Sequence, residues 1–308
     1  MTTLDAPRTS LRSEEPVAEA PVAVARVRPQ VRQAAGRVLI TFALLVAWSL
    51  AYVFVLSRLD ELHAQKSLYA SFRSQLAQGL APMQLPVAPG TPIALIDAPD
   101  AHLTHVVVVE GTSPGDLQKG PGHLSQSVLP GQQGTTVLLG RAVSYGGPFG
   151  HIADLQAGSV VTVTTNQGAF HYRVLDVRRR GDPVPAPPAA TSSRLVLVTA
   201  ESGSGFGALQ PSNTLYVDAD LVGGKAQPDA GAPSLVPSDE RPMGADTSSV
   251  ELTELVLGLA LLTIVLLLVS WARARWSSTA AWVAGVPAVV ASLWLVSDVA
   301  ARLLPNLM

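Results

Sequence analysis

The chain has 308 residues, 48% of them hydrophobic and 14% charged, with a formal net charge of −2 and a mean hydropathy of +0.31. That balance is too apolar for an ordinary soluble protein and too charged for a polytopic transporter, and it lacks the concentrated basic surface that nucleic acid requires. There is no cysteine, which excludes disulfides, Cys-ligated zinc, iron–sulfur clusters and a thiol nucleophile while leaving the redox compartment open.

Residues 1–37 open with Pro, Ala, Val, Glu and Arg in no period and are predicted to be a disordered cytoplasmic tail. Arg26, Arg28, Arg32 and Arg37 precede the apolar run 38–56. That run is long enough for a hydrocarbon core needing roughly 20 residues, and the arginines put its N-terminus inside. A cleaved signal peptide is the alternative. The run exceeds an ordinary h-region and no Ala-x-Ala site follows closely, which favours an uncleaved anchor. Residues 57–91 read as a helical stalk and a Pro-rich spacer. Leu62, Tyr69 and Leu76 recur at heptad spacing, widened by Leu59, Leu68 and Phe72, until Pro82, Pro86 and Pro89 end the helix. This stripe suits either a partner helix or packing on the chain's own domain or the membrane surface.

From residue 92 to 222 the pattern turns to β. Ile93–Ile96 and His105–Val109 read as strands, and Asp116–His123 as a short helical turn stopping at glycine. Val137-Leu138-Leu139 is a strand running into Gly140-Arg141. Val160–Thr164 and Ala169–Val177 form a hairpin around Thr165-Asn166-Gln167-Gly168. A basic, Pro-rich loop, Arg178–Pro188, leads into Arg194–Ala200, whose Leu-Val-Leu-Val run reads as a strand buried on both faces. Thr214–Leu221 is a final strand. So many short strands with few helices indicate a mainly β, closed or nearly closed barrel.

Residues 223–249 are a Pro/Gly/Ser/Asp-rich linker. Two further apolar runs follow, 250–271 and 280–297, the second of marginal length and carrying Pro287. The loop between them, 272–279, holds Arg273 and Arg275 and is assigned to the cytoplasm, which leaves the tail 298–308 outside. Three transmembrane helices therefore anchor an extracytoplasmic β-barrel in the cell membrane, with the N-terminus cytoplasmic. The scarcity of charge inside the spans argues against transport.

An ordered series of short motifs within the β region resembles the sortases, membrane-bound transpeptidases of Gram-positive bacteria, most nearly their classes C and E. The series comprises Ala94-Leu95-Ile96-Asp97-Ala98-Pro99, Val109-Glu110-Gly111, Gly120-Pro121-Gly122-His123, Leu129-Pro130-Gly131, Gly140-Arg141, Leu155-Gln156-Ala157-Gly158, Phe170–Val174 and Leu195–Thr199. The resemblance implies an eight-stranded barrel and a chemistry in which a cysteine attacks a sorting-signal peptide. A histidine protonates the leaving amine and an arginine stabilises the oxyanion. It also puts the cysteine at Ala200, the histidine at Arg141, and the arginine near Asn213 or Thr214. None of the three residues is present. A methyl group forms no thioester, and a guanidinium with pKa above about 12 shuttles no proton at neutral pH.

The reading preferred is therefore a catalytically silent sortase-like protein that binds or scaffolds, with membrane lipid, an extracytoplasmic peptide or an envelope protein as partner. Arg141, Thr199 and Ser202 are its candidate groove residues. Arg141 is either a fixed cation for a peptide carboxylate or lipid headgroup, or a solvated surface arginine, the latter preferred. The cluster Arg178-Arg179-Arg180 is read alike, as a surface for acidic polymers or as a solvated strand end. A second reading keeps an enzyme with a relocated nucleophile, Thr199 or Ser202, served by His123, His151 or His171; a third makes the barrel a folded spacer. His102 and His105 fall on opposite faces of a strand and make a poor metal pair. No metal or cofactor is expected.

Overall fold

The computed structural model describes residues 29–84, 86–201, 213–228, 249–275 and 278–303. The expected tail, most of the linker, Ser202 and the last five residues lie wholly or largely outside these. The chain divides into two units, Met1–Val46 and Ala47–Met308. What is described of the first is helical, with Leu39, Ile40, Phe42, Leu44 and Leu45 exposed. Helix α1 spans Pro29–Ala51, a π-helical turn covers Tyr52–Leu56, and α2 runs Ser57–Gln78 without a break. The expected stalk is thus a direct continuation of the first apolar run. Gly79 ends it in a left-handed conformation at φ 65°, with its N–H and that of Leu80 taking up carbonyls of the last turn.

Strands β1 (Pro92–Ala98), β2 (Leu103–Glu110), β3 (Gly122–His123), β4 (Gly134–Leu139), β5 (Val160–Thr165), β6 (Gly168–Arg179), β7 (Ser193–Glu201) and β8 (Asn213–Val222) close into a barrel. Its order is β1-β2-β3-β4-β7-β8-β6-β5. Neighbours are antiparallel except β2 with β3 and β4 with β7. The hairpin of β5 and β6 forms as the sequence indicates, Thr165 opposite Gly168. One segment differs. The helical turn is α3 at Pro114–Leu117, started by Pro114 and by the Ser113 hydroxyl, which accepts the Asp116 N–H. Gly122 and His123 are not helical but extended, because Gly122 lies against the Gly111 carbonyl where no Cβ fits.

Alternation along β7 produces its double burial. Leu195 and Leu197 enter the main core with Leu138, Leu215 and Val217. Val196, Val198 and Ala200 face the other way and are covered by Leu117, Leu139 and Ala142. α2 lies against the barrel wall: Phe72 packs with Leu95 and Val107, flanked by Leu68, Tyr69 and Leu76, whereas Leu59 and Leu62 are exposed. Of the alternatives for this stripe, the structure realises packing on the chain's own domain. Next to it, Val107 pairs with Leu95 of β1 along one edge of β2; along the other, where pairing with β3 covers only Val109 and Glu110, the Gln65 amide takes the place of a strand. Its Oε1 accepts the Val107 N–H at 2.8 Å while its Nε2–H donates to the Val107 carbonyl at 3.0 Å and the Lys119 carbonyl at 2.8 Å.

Helices α4 (Ser249–Arg275) and α5 (Ser278–Arg302) complete the fold, α5 passing through Pro287 without interruption. Among the described residues, three helices are long and apolar enough to cross a membrane, Phe42–Gln78, Leu252–Arg275 and Ala281–Arg302. Gln65→Ala strands three backbone groups at the β2 edge. It is expected to lower stability by about 1–3 kcal/mol and to speed amide exchange at Val107, measured by hydrogen–deuterium exchange of the full chain in detergent.

Candidate functional site

Parallel pairing of β4 with β7 brings their C-terminal ends out side by side. The Gly140 N–H donates to the Val198 carbonyl at 3.0 Å, and the Thr199 hydroxyl donates to the Gly140 carbonyl at 2.8 Å. Across the other edge of β7, Ala200 pairs with Thr214 and Glu201 with Asn213. One barrel end therefore gathers Arg141, Thr199, Ala200, Asn213 and Thr214; Ser202 lies outside the described residues. The Ala200 side chain, 2% exposed, sits in the apolar cluster of Leu117, Leu139 and Ala142. The Pro-rich loop does not fill this end. Asp182–Pro188 is mostly exposed, and the Arg194 guanidinium grips the Ala186 carbonyl at the far end of β7, about 20 Å away at 3.3 Å per residue.

Arg141 is not a solvated surface residue: its exposure is 0%. Gly140 allows the burial, since a Cβ there would stand 2.5 Å from the Phe149 ring, so the chain after β4 folds back tightly over the strand end. The guanidinium donates from Nη1 to Ser144 Oγ at 3.1 Å and from Nη2 to the Pro114 carbonyl at 3.5 Å, and it lies 5.2 Å from the centre of the Tyr145 ring. Its Nε has no acceptor. Burial pulls its pKa down to about 10, opposed by Tyr145 and Asp298, so it stays cationic at neutral pH.

Among the described residues, His123, Glu110 and Ser127 form an arrangement resembling a nucleophilic triad. His123 Nδ1 is 2.7 Å from Glu110 Oε2, and its Nε2 is 3.0 Å from Ser127 Oγ, all three buried. The hydrogen-bond directions are wrong for catalysis. Nε2 also meets the Val128 carbonyl at 3.0 Å; a carbonyl only accepts, so Nε2 carries a proton and takes none from serine. Ser127 in turn donates to the Leu124 carbonyl at 2.8 Å and accepts the Val137 N–H at 3.0 Å. The arrangement is a buried polar lock between β2, β3 and the turn before β4.

The other histidines of the barrel are engaged locally on the outside. His105 pairs with Asp97, His151 with Asp154, and His171 Nδ1 lies 3.0 Å from Thr162 Oγ1. His102 meets the His151 ring edge-on at 5.0 Å. Among the described residues, no three histidine or carboxylate groups converge to hold a metal. In the basic cluster, Arg178 is largely buried, bonded to Asp218 at 2.6 Å and lying over Tyr216, while the more exposed Arg179 pairs with Glu201. Only part of that cluster is a solvated strand end.

A family model of the sortase domain matches residues 96–221. This barrel is a sortase domain. Three of the solved structures to which the chain is similar are the following. A Clostridium perfringens sortase D5 transpeptidase is 21% identical with a TM-score of 0.43, the match covering 52% of this chain and 99% of that one. Streptomyces avermitilis sortase E is 26% identical with a TM-score of 0.36, covering 44% and 90%. SrtA sortase from Actinomyces oris is 22% identical with a TM-score of 0.39, covering 46% and 85%. No curated protein matches the chain.

Within the sortase domain, sequence reasoning missed the Glu110–His123 pair and the partners of Arg141. Glu110 and His123 stand in two of the quoted motifs, so their positions were legible although their contact was not. His123→Ala leaves the Glu110 carboxylate buried without its ring partner. It is expected to cost about 3–5 kcal/mol, seen as a lowered melting temperature of the full chain, whereas Thr162→Ala at the exposed His171 contact should leave it nearly unchanged.

Proposed function

We propose that this sortase-family protein is a membrane-anchored binding or scaffolding component of the cell envelope that performs no transpeptidation. The supporting observation is chemical. The chain contains no cysteine, and the strand end that would present one carries the packed methyl group of Ala200. The position that would hold the proton donor carries Arg141, which keeps its proton at neutral pH. No arginine lies between Gly203 and Leu221 to replace the oxyanion donor. In this reading the three spans sit in lipid with the N-terminus and the Arg273–Arg275 loop cytoplasmic, as the positive-inside rule favours. The barrel then stands outside, where a peptide or an envelope protein is the partner.

The alternative, a relocated serine or threonine nucleophile, finds little support. Thr199 spends its hydroxyl proton on the Gly140 carbonyl, and Ser127 faces a protonated ring nitrogen.

Two measurements test the proposal. Full-length protein in nanodiscs, given a fluorogenic sorting-signal peptide with an amine acceptor, is expected to release no more product than peptide alone; turnover abolished by Thr199→Ala would establish the enzyme instead. For topology, the absence of native thiols permits single-cysteine mapping. Val184→Cys in the barrel should react in intact cells with a membrane-impermeant maleimide, and Ala274→Cys only after lysis; the reverse pattern would invert the orientation.

A further inference from the structure

The loop that buries Arg141 continues to Tyr145, and Tyr145 leads out of the barrel to α5. Its hydroxyl donates to Asp298 Oδ1 at 3.0 Å and accepts from Gln118 Nε2 at 3.0 Å, and its backbone N–H donates to Ser57 Oγ at 3.0 Å. The same carboxylate takes the Tyr52 hydroxyl on Oδ1 at 3.2 Å and Arg302 Nη2 on Oδ2 at 3.0 Å. Tyr145 holds a φ of 50°, a conformation that a non-glycine residue keeps only where its surroundings fix it.

A guanidinium removed from water needs a counter-charge. The acceptors on Arg141 are neutral, a serine hydroxyl and a carbonyl, and among the described residues it forms no ion pair with a carboxylate. Between it and Asp298 stands the phenol ring. A phenol hydroxyl held by a carboxylate shifts electron density into its ring, which deepens the negative face on which the guanidinium lies. Burial raises the pKa of Tyr145, and Asp298 adds to the rise, so the hydroxyl keeps the proton that makes the link.

We propose that Asp298 of α5 is the counter-charge of Arg141, transmitted through the ring of Tyr145. The place where sortases carry a proton-donating histidine then serves as an intramolecular docking site whose occupant is the barrel-side end of α5. The docking stands on these contacts; its description as a converted catalytic position rests on the reading proposed above. A chain that proved to be an active enzyme would remove the second statement and leave the first.

The test is a double-mutant cycle on the full chain in nanodiscs. Arg141→Met and Asp298→Asn are made singly and together, in the native background and in Tyr145→Phe, which keeps the ring but frees it from the carboxylate. In the native background the double variant is expected to lose less melting temperature than the sum of the singles, by roughly 2–4 °C. In Tyr145→Phe the losses should add. Additivity in both backgrounds, or equal coupling in both, overturns the through-ring pairing. Should Arg141→Met not fold, electron spin resonance carries the test with labels at Leu175→Cys on the barrel and Val283→Cys on α5. The distance distribution should broaden in Asp298→Asn and in Tyr145→Phe. An unchanged width overturns the docking.

Discussion

Strands β4 and β7 run parallel over Gly134–Leu139 and Ser193–Val198, and that pairing fixes where everything at the candidate site must lie. Two parallel strands deliver their C-terminal ends to the same rim, so Arg141 and Ala200 emerge as neighbours, with Thr214 opposite Ala200 on β8. What happens next is steric. At Gly140 the Phe149 ring occupies the space a side chain would need, and at Gly147, φ 53°, a Cβ would stand 2.5 Å from the Ala142 carbonyl. The returning loop closes the rim, covers the outer face of β7 and carries Arg141 inward with it.

The barrel houses its buried charge in two different ways. Glu110 and His123 meet directly at 2.7 Å, and the second ring nitrogen has a carbonyl and a hydroxyl around it. Such a pair draws its partners from within the domain, with only Glu110 Oε1 left without one. Arg141 has no carboxylate of that kind, and Asp298 reaches it only through the ring of Tyr145. A side chain that must release and recover a proton has to change charge where it sits. A guanidinium held cationic by its chemistry cannot, so at this position it orders charge and does not transfer protons.

Much of the barrel was legible in sequence because local pattern and global role agree there. The Leu-Val-Leu-Val run in β7 reads as buried on both faces, and the wall on its outer side supplies the second burial. The β5–β6 hairpin announced itself through Asn166-Gln167-Gly168, with Gly168 at φ 123°. The stretch from Asp116 to His123 misled because its glycines suit a helix stop and a close backbone approach equally well, and only the packing of Gly122 on Gly111 decides between them. Arg141 was read as solvated because arginine seldom lies fully buried. Nothing near it in sequence reveals Tyr145 as its platform, and Asp298 is 153 residues beyond Tyr145. The three strand-end positions follow from motif order; the electrostatics around them require the fold.

The polar atoms of the helices are distributed unevenly, and that unevenness bears on how the barrel is held. Trp48 donates to Ser297, Tyr52 meets the Trp294 ring edge-on at 5.6 Å and bonds Asp298, and Arg302 reaches Glu254 on α4. All of these lie on the barrel side of the helices. Farther along α4 and α5 most exposed side chains are apolar, among them Val256, Leu257, Leu267, Leu268, Trp282 and Val283, until Arg273 and Arg275 close α4. Hydrocarbon tolerates the second surface and penalises the first, so the polar cluster belongs where lipid gives way to water and protein. There it gives the first helix, the α4–α5 hairpin and the Arg141 loop a shared set of partners. A tether of flexible residues alone would leave a barrel free to tumble above a membrane. Aromatic hydroxyls and a shared carboxylate instead hold the Arg141 loop directly against the ends of these helices.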